Sequence, residues 1–189
     1  GEKVWTWNIF NHSKPDEERF LIRDDWSHAN GIDIDSDGNY LISFRNFDQI
    51  WKVNSVNGDV IWRLGKNGDF NLENKEIFYQ QHAIHKIDSS HYMLFDNGSS
   101  EYRKTSRALV FSLDEKNKNF NYSKSIFLPD SLFTFKQGSV YSMGNNNYLF
   151  SSSVNNKTII SDETGKILWN LSSDHSFYRV YYIDKKKLF

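Results

Sequence analysis

Along 189 residues the chain repeats a set of four short strand-like runs separated by turn residues, and it does so three times. The second run of each set carries a tyrosine in the same place. NYLISF, HYMLF and NYLF align at Tyr40, Tyr92 and Tyr148, which lie 52 and then 56 residues apart. The fourth runs VIWRL and ILWNL place Trp62 and Trp169 alike. β-Branched and aromatic residues fill these runs, as a pleated, half-buried surface favours. Between them stand Ser36-Asp37-Gly38-Asn39, Asn57-Gly58-Asp59, Ser89-Ser90, Gly144-Asn145-Asn146 and Glu163-Thr164-Gly165, combinations that reverse a chain tightly. A four-stranded unit at such a period is the signature of propeller blades, each of which buries its faces on its neighbours. The expected fold is all-β: a β-propeller of four-stranded antiparallel blades, about three of them present. Residues 1–189 then form a single partial domain with a leading strand at 1–10, blades at about 28–65, 82–128 and 138–172, and a trailing strand at 178–189.

Propellers close with about 4–8 blades. Three blades leave two apolar sheet faces uncovered, so the ring is expected to be completed by the remainder of a longer protein or by another copy in a homo-oligomer. With 38% hydrophobic and 16% aromatic residues the chain belongs with folded globular proteins. Its 23 basic and 24 acidic side chains leave a formal charge of -1, which provides no overall field to gather nucleic acid or an anionic membrane. No apolar run approaches the roughly 20 residues of a membrane helix, so no membrane insertion is expected. The opening GEKVWTWNIF likewise lacks the apolar stretch of a signal peptide. Without cysteine there is neither a disulfide framework nor a thiolate metal site.

In a propeller the innermost strand of each blade lines the channel, and loops from several blades meet at its mouth. Two histidines open consecutive blades there: His28 in DWSHANGID and His82 in YQQHAIHKID, 54 residues apart. Strand alternation makes His28 and Asn30 project together. It sends His82 and His85 to opposite faces, which argues against a two-histidine metal site; no metal and no cofactor are expected. Arg45 closes the second strand of the first blade in SFRN, near the same mouth. Arg107 in TSRALVF and Arg179 in FYRVYY are candidates for drawing anions to it, with a bridge between blades as the other reading of each. Asp96 and Asn97 in FDNG read as a turn, Asn97-Gly98 suiting a positive φ. His91 and His175 fall in turns and carry no assigned role.

The stretch DWSHANGIDIDSDGNYLISFRNFDQIWKVN, followed by GDVIWRLG, GDF, QQHA, LFDNG and SRALVFSLDE, resembles the bacterial arylsulfotransferases over most of the chain and in the same order. D-W-x-H-x-N followed by S-x-R-N is the specific part, whereas G-x-x-x-W-R-L is common to many propellers. The resemblance implies a six-bladed propeller with its site at the channel. It also implies transfer of a sulfuryl group from an aryl sulfate donor to a phenol acceptor, without a nucleotide sulfate donor, in a periplasmic or other extracytoplasmic setting. By resemblance His82 matches the transiently sulfated histidine, His28 and Asn30 the sulfate-contacting pair, and Arg45 the family's arginine. The family has one further site histidine on a blade earlier in the chain. This sequence lacks that blade, and His12 in NIFNHSKPD stands too close to His28 to replace it.

The residue types suit that chemistry. A sulfate ester spreads one negative charge over three oxygens, and attack at sulfur builds charge on the departing phenol oxygen. Neutral imidazole, with an ordinary pKa of about 6.5, has a lone pair available near pH 7. Arg45 offers a rigid fork for anionic oxygens, Asn30 a neutral donor and His28 a proton. Two readings of other classes compete. One is a non-catalytic propeller that binds an anionic ligand or a protein partner, with these histidines as hydrogen-bonded structural residues. The other is a quinone-cofactor propeller dehydrogenase, for which the channel strands offer no Ca²⁺-type carboxylate cluster.

Overall fold

The computed structural model describes residues 1–15 and 25–183. Twelve strands form three antiparallel four-stranded sheets, each a meander in which consecutive strands pair in sequence order. The first sheet contains β1 (Ala29–Ile34), β2 (Tyr40–Phe44), β3 (Gln49–Val53) and β4 (Val60–Gly65). The second contains β5 (His82–Lys86), β6 (His91–Asp96), β7 (Arg107–Asp114) and β8 (Asn119–Phe127). The third contains β9 (Ser139–Gly144), β10 (Asn147–Ser152), β11 (Lys157–Asp162) and β12 (Ile167–Ser172). The first strands of the sheets lie side by side, β1 against β5 and β5 against β9. The described residues form a partial β-propeller of three blades.

Alternation along the strands builds the interfaces between blades. In β6, Tyr92 and Leu94 face the first blade, where they join Leu41, Ile50, Trp62 and Leu64, while Met93 and Phe95 face the third and meet Val140, Phe150 and Ile159. β7 divides in the same way, with Leu109 and Phe111 on one side and Ala108 and Val110 on the other. A blade held between two others buries both faces, which is why the middle of these strands reads as a continuous apolar run.

Polar contacts also join the first two blades. The Lys52 ammonium, 3% exposed, lies 2.9 Å from Asp35, 2.7 Å from Asp37 and 2.7 Å from Glu115. Lys86 reaches Asp35 at 2.6 Å, and the Tyr92 hydroxyl donates to it at 2.8 Å. Burial alone would favour a neutral Asp35, but the bonds from Lys86, Lys52 and Tyr92 outweigh it and hold the carboxyl well below the usual carboxylate range.

Both terminal strands expected from sequence are corrected. Residues 1–8 form no strand, and the segment ends in a 3-10 turn at Ile9–Asn11. Its aromatic side chains cover a sheet face instead of extending an edge. Trp5, Trp7 and Ile9 pack on the cluster of Phe44, Phe47 and Trp51, and the Trp7 indole donates to Gly58 O at 2.8 Å. At the other end, residues 178–183 form no strand and 184–189 lie outside the described residues. The segment is tied to the start of β9 by Gly138 N donating to Tyr178 O at 3.1 Å and Val180 N donating to Ser139 Oγ at 3.3 Å, too few bonds for a ladder. On β12, Leu168, Trp169 and Leu171 remain about half-exposed.

Candidate active site

The β2–β3 connection and the approaches to β5 and β9 meet at one end of the three inner strands. A cavity of about 660 Å³ opens there, and His28, Arg45, Gln80, His82, Phe135 and Tyr178 are among its walls. It draws on all three blades. A smaller cavity of about 250 Å³ at Trp26, Trp51 and Arg63 belongs to the first blade and its N-terminal segment and includes neither His28 nor His82.

Backbone irregularities aim the side chains. β5 pairs His82 with Phe95 and His85 with Met93, so two residues, Ala83 and Ile84, stand opposite one, Leu94. The extra residue is absorbed at Ala83, which has φ 51°, forming a β-bulge. In the first blade Ala29 pairs with Phe44 and Gly31 with Ser43, the same kind of shift, preceded by His28 at φ 46°. Arg45 opens a 3-10 turn, Arg45–Phe47, that closes on left-handed Asp48 and keeps the guanidinium at the mouth. Between the blades, the wholly buried Gln81 amide donates to Ser43 Oγ at 3.0 Å, Phe44 O at 3.3 Å and Gln49 O at 2.8 Å. That anchor sets the position of the adjacent His82 relative to the first blade.

The His82 ring is 1% exposed. Its Nδ1 lies 2.8 Å from Asn97 Oδ1 and 3.1 Å from Gln80 O. Burial pushes its pKa down to about 4; the charges of Arg45 and His28 act in the same direction, against the Asn97 and Gln80 bonds. The ring is therefore neutral at pH 7. Arg45 donates to Gln80 Oε1 at 2.8 Å and Phe135 O at 3.1 Å, so the guanidinium, the Gln80 side chain and the loop before β9 form one connected wall. His28 is half-exposed, and its Nδ1 pairs with the Asp25 carboxylate. Tyr178 presents its ring to His82 at 5.9 Å in an edge contact.

One family profile, described as Arylsulfotransferase (ASST), matches residues 11–174. The chain belongs to the arylsulfotransferase family. No curated protein sequence matches the chain. Among solved structures it is similar to BamB from Moraxella catarrhalis, with a TM-score of 0.32 and 8% identity over 80% of this chain and 66% of that one. It is also similar to Porphyromonas gingivalis dipeptidyl peptidase 4, with a TM-score of 0.31 and 18% identity over 86% of this chain and 22% of that one. The chain thus spans 66% and 22% of the lengths of these two.

Within this arylsulfotransferase fold, the cavity brings together His28, His82 and Arg45. The other three residues singled out from sequence stand elsewhere. Asn30 is not a cavity wall; its amide donates to Gln81 O at 2.7 Å and joins the first two blades. Arg179 lies over the rings of Tyr178 and Tyr181, at 5.8 and 6.0 Å, outside the cavity walls. Arg107 is corrected outright. It is 3% exposed and donates to Asp96 at 2.8 Å, Lys75 O at 2.7 Å and Ile77 O at 2.8 Å, so its donors serve the protein interior rather than an anion at the mouth.

Two further expectations change. His82 and His85 oppose residues two apart on β6, so the bulge puts them on one face, not on opposite faces. Both imidazoles could therefore face one ion, although no group of three His, Asp or Glu side chains is gathered to hold a metal among the described residues. FDNG does turn, with Gly98 at φ 80°, but Asp96 and Asn97 are both wholly buried, and Asn97 contacts the site histidine. A sequence signal for Asn97 existed: it directly follows the second strand of its blade, as Arg45 does in the first. Gln80, Phe135 and Tyr178 had none, because they stand in irregular segments whose course depends on the packed blades.

Proposed function

We propose that the chain supplies the sulfuryl-accepting part of an aryl sulfate:phenol sulfotransferase, working through a sulfohistidine on His82. The observation that carries this reading is the convergence of two imidazoles and a guanidinium from successive blades on one cavity, in a chain of the arylsulfotransferase family. The His82 lone pair attacks the sulfur of the aryl sulfate. An N–S bond forms, the S–O bond to the aryl group breaks, and the phenolate leaves with the bonding pair. Arg45 stabilises the sulfuryl oxygens, and His28 supports the departing oxygen by giving it a proton. In the second half a phenol acceptor loses its proton to His28 and attacks sulfur. The N–S bond then breaks and its electron pair returns to the ring.

The ring's depressed pKa favours this role, since burial removes competition from protons at working pH. Phe135 and Tyr178, both nearly half-exposed on the cavity wall, give the aryl group apolar surface to lie against. We place activity in the completed ring, whose further blades add to the walls, and in an extracytoplasmic compartment on grounds of family alone.

The test is intact-mass analysis after incubation with 4-nitrophenyl sulfate and no acceptor. The protein should gain the mass of one sulfuryl group, peptide mapping should place it on His82, and His82→Ala should gain none. Binding of the ester to both forms without modification of either would instead mark a non-catalytic anion-binding propeller.

A further inference from the structure

We infer that Asn97 is the positioning residue that keeps the proton of the His82 ring on Nδ1 and so reserves the lone pair of Nε2 for the cavity. The inference rests on His82 being the group that takes the sulfuryl.

The Asn97 side chain is wholly buried. Its nitrogen lies 2.7 Å from Thr134 O and 2.7 Å from Gln137 O, both on the segment leading to β9. Backbone carbonyls only accept, so the NH₂ end of the amide must face them, using both of its hydrogens. The opposite orientation would press an amide oxygen against two carbonyl oxygens in a buried site. The carbonyl end is thereby directed at His82 Nδ1, 2.8 Å away. An amide oxygen also only accepts, so Nδ1 must be the protonated nitrogen; Gln80 O, at 3.1 Å, is a second acceptor for the same proton. A neutral ring carries one N–H, and with it on Nδ1 the lone pair is on Nε2. In water a neutral histidine side chain favours the other tautomer, which would turn an N–H toward the substrate's sulfur. The network reverses that preference.

Its surroundings hold Asn97 rigidly. Ser106 Oγ donates to Asn97 O at 2.8 Å and accepts from Thr134 N at 2.9 Å, so residue 97 and Thr134, whose carbonyl fixes its amide, are bound to the same hydroxyl. The arrangement also suits the step itself. When Nε2 bonds to sulfur the ring gains positive charge with its proton still on Nδ1, and the oxygens of Asn97 and Gln80 already face that proton. A neutral amide does this without the strong pull on a ring proton that a carboxylate would exert, so the resting ring stays neutral.

The experiment reads the ring directly. In the full chain labelled with ¹⁵N-histidine, the imidazole nitrogen shifts and their couplings to ring protons should show His82 with Nδ1 protonated and Nε2 bare at neutral pH. A wild-type ring protonated on Nε2, or averaging between the two tautomers, overturns the inference whether or not any variant folds. In Asn97→Leu, with folding checked by near-ultraviolet circular dichroism, the tautomer should become mixed. The rate of sulfohistidine formation from 4-nitrophenyl sulfate should fall by about 100-fold or more, since a wrong histidine tautomer in a serine protease costs about 10⁴. A folded Asn97→Leu that keeps the Nδ1–H tautomer yet loses the rate assigns Asn97 a merely structural role and overturns the inference as well. If the wild-type ring shows the Nδ1–H form but never gains a sulfuryl group, the tautomer assignment stands and the transfer reading falls.

Discussion

His82 is an imidazole held almost out of water beside a guanidinium, and its protonation behaviour follows from that placement. A base whose pKa is pushed down to about 4 keeps its lone pair through the range in which free histidine, at 6.5, becomes charged. Sulfuryl transfer monitored by 4-nitrophenol release should therefore keep its first half-reaction active below pH 6, with the acid limb due to His82 lying near 4. The same shift affects stability. Between pH 6.5 and 4 the unfolded chain binds a proton that the folded chain refuses, so stability falls as pH is lowered through that window, by roughly 3 kcal/mol for this one residue. Chemical denaturation of wild type and His82→Leu at several pH values should show that slope in the first and its loss in the second. Arg45→Ala should slow sulfohistidine formation by about 10²- to 10³-fold, the usual cost of removing one donor from a developing oxyanion. His28, Arg45 and His82 were legible in the sequence because each stands at the edge of a strand in a repeating unit. Arg107 stands at such an edge too, but its guanidinium turns to Asp96 in the interior, and only packing decides between those outcomes.

The strands themselves were the most readable elements, since period-two alternation and turn residues act over a few positions. What alternation does not reveal is where it breaks. Ala83 adopts φ 51° in a sequence, QHAIH, with no glycine or asparagine to mark a bulge. The inserted residue brings His85 to the face that His82 occupies, contrary to simple counting. The β6–β7 connection has one glycine that a larger residue cannot replace. At Gly98, φ is 80°, and a Cβ would stand 2.5 Å from both Arg103 O and Thr105 O. Gly98→Ala should therefore cost about 2 kcal/mol or more, read by denaturant titration. Because it displaces the residue beside Asn97, it should also slow His82 sulfation, read by the time course of the mass gain. The terminal runs VWTWNIF and YRVYYID have strand-like composition but form none in the described residues. Aromatic side chains can cover a sheet face from an irregular backbone as well as from a ladder, and composition does not distinguish the two.

At the scale of the whole molecule, relative blade placement depends on two kinds of contact: the apolar layers shared by adjacent sheets and the ion pairs of Lys52 and Lys86 with the buried Asp35. Removing the Lys52 ammonium leaves Asp35 with less compensation in the interior. Lys52→Met should destabilise the folded chain by about 3–5 kcal/mol, measured as a lower denaturation midpoint. Lys52 is not among the cavity walls, so the change should leave the rate of His82 sulfation nearly unchanged at temperatures where the variant stays folded. The amino-acid order by itself determined the all-β class, the three blades and the residues at their edges, because turn chemistry and alternation are local forces written into neighbouring positions. The tertiary structure alone decided that Gln80, Phe135 and Tyr178 share a cavity wall with His82, that Asn97 Oδ1 faces its Nδ1, and that Arg107 does not reach the cavity. Those distances arise from how blades far apart in the chain pack face to face, and no run of adjacent residues encodes that packing.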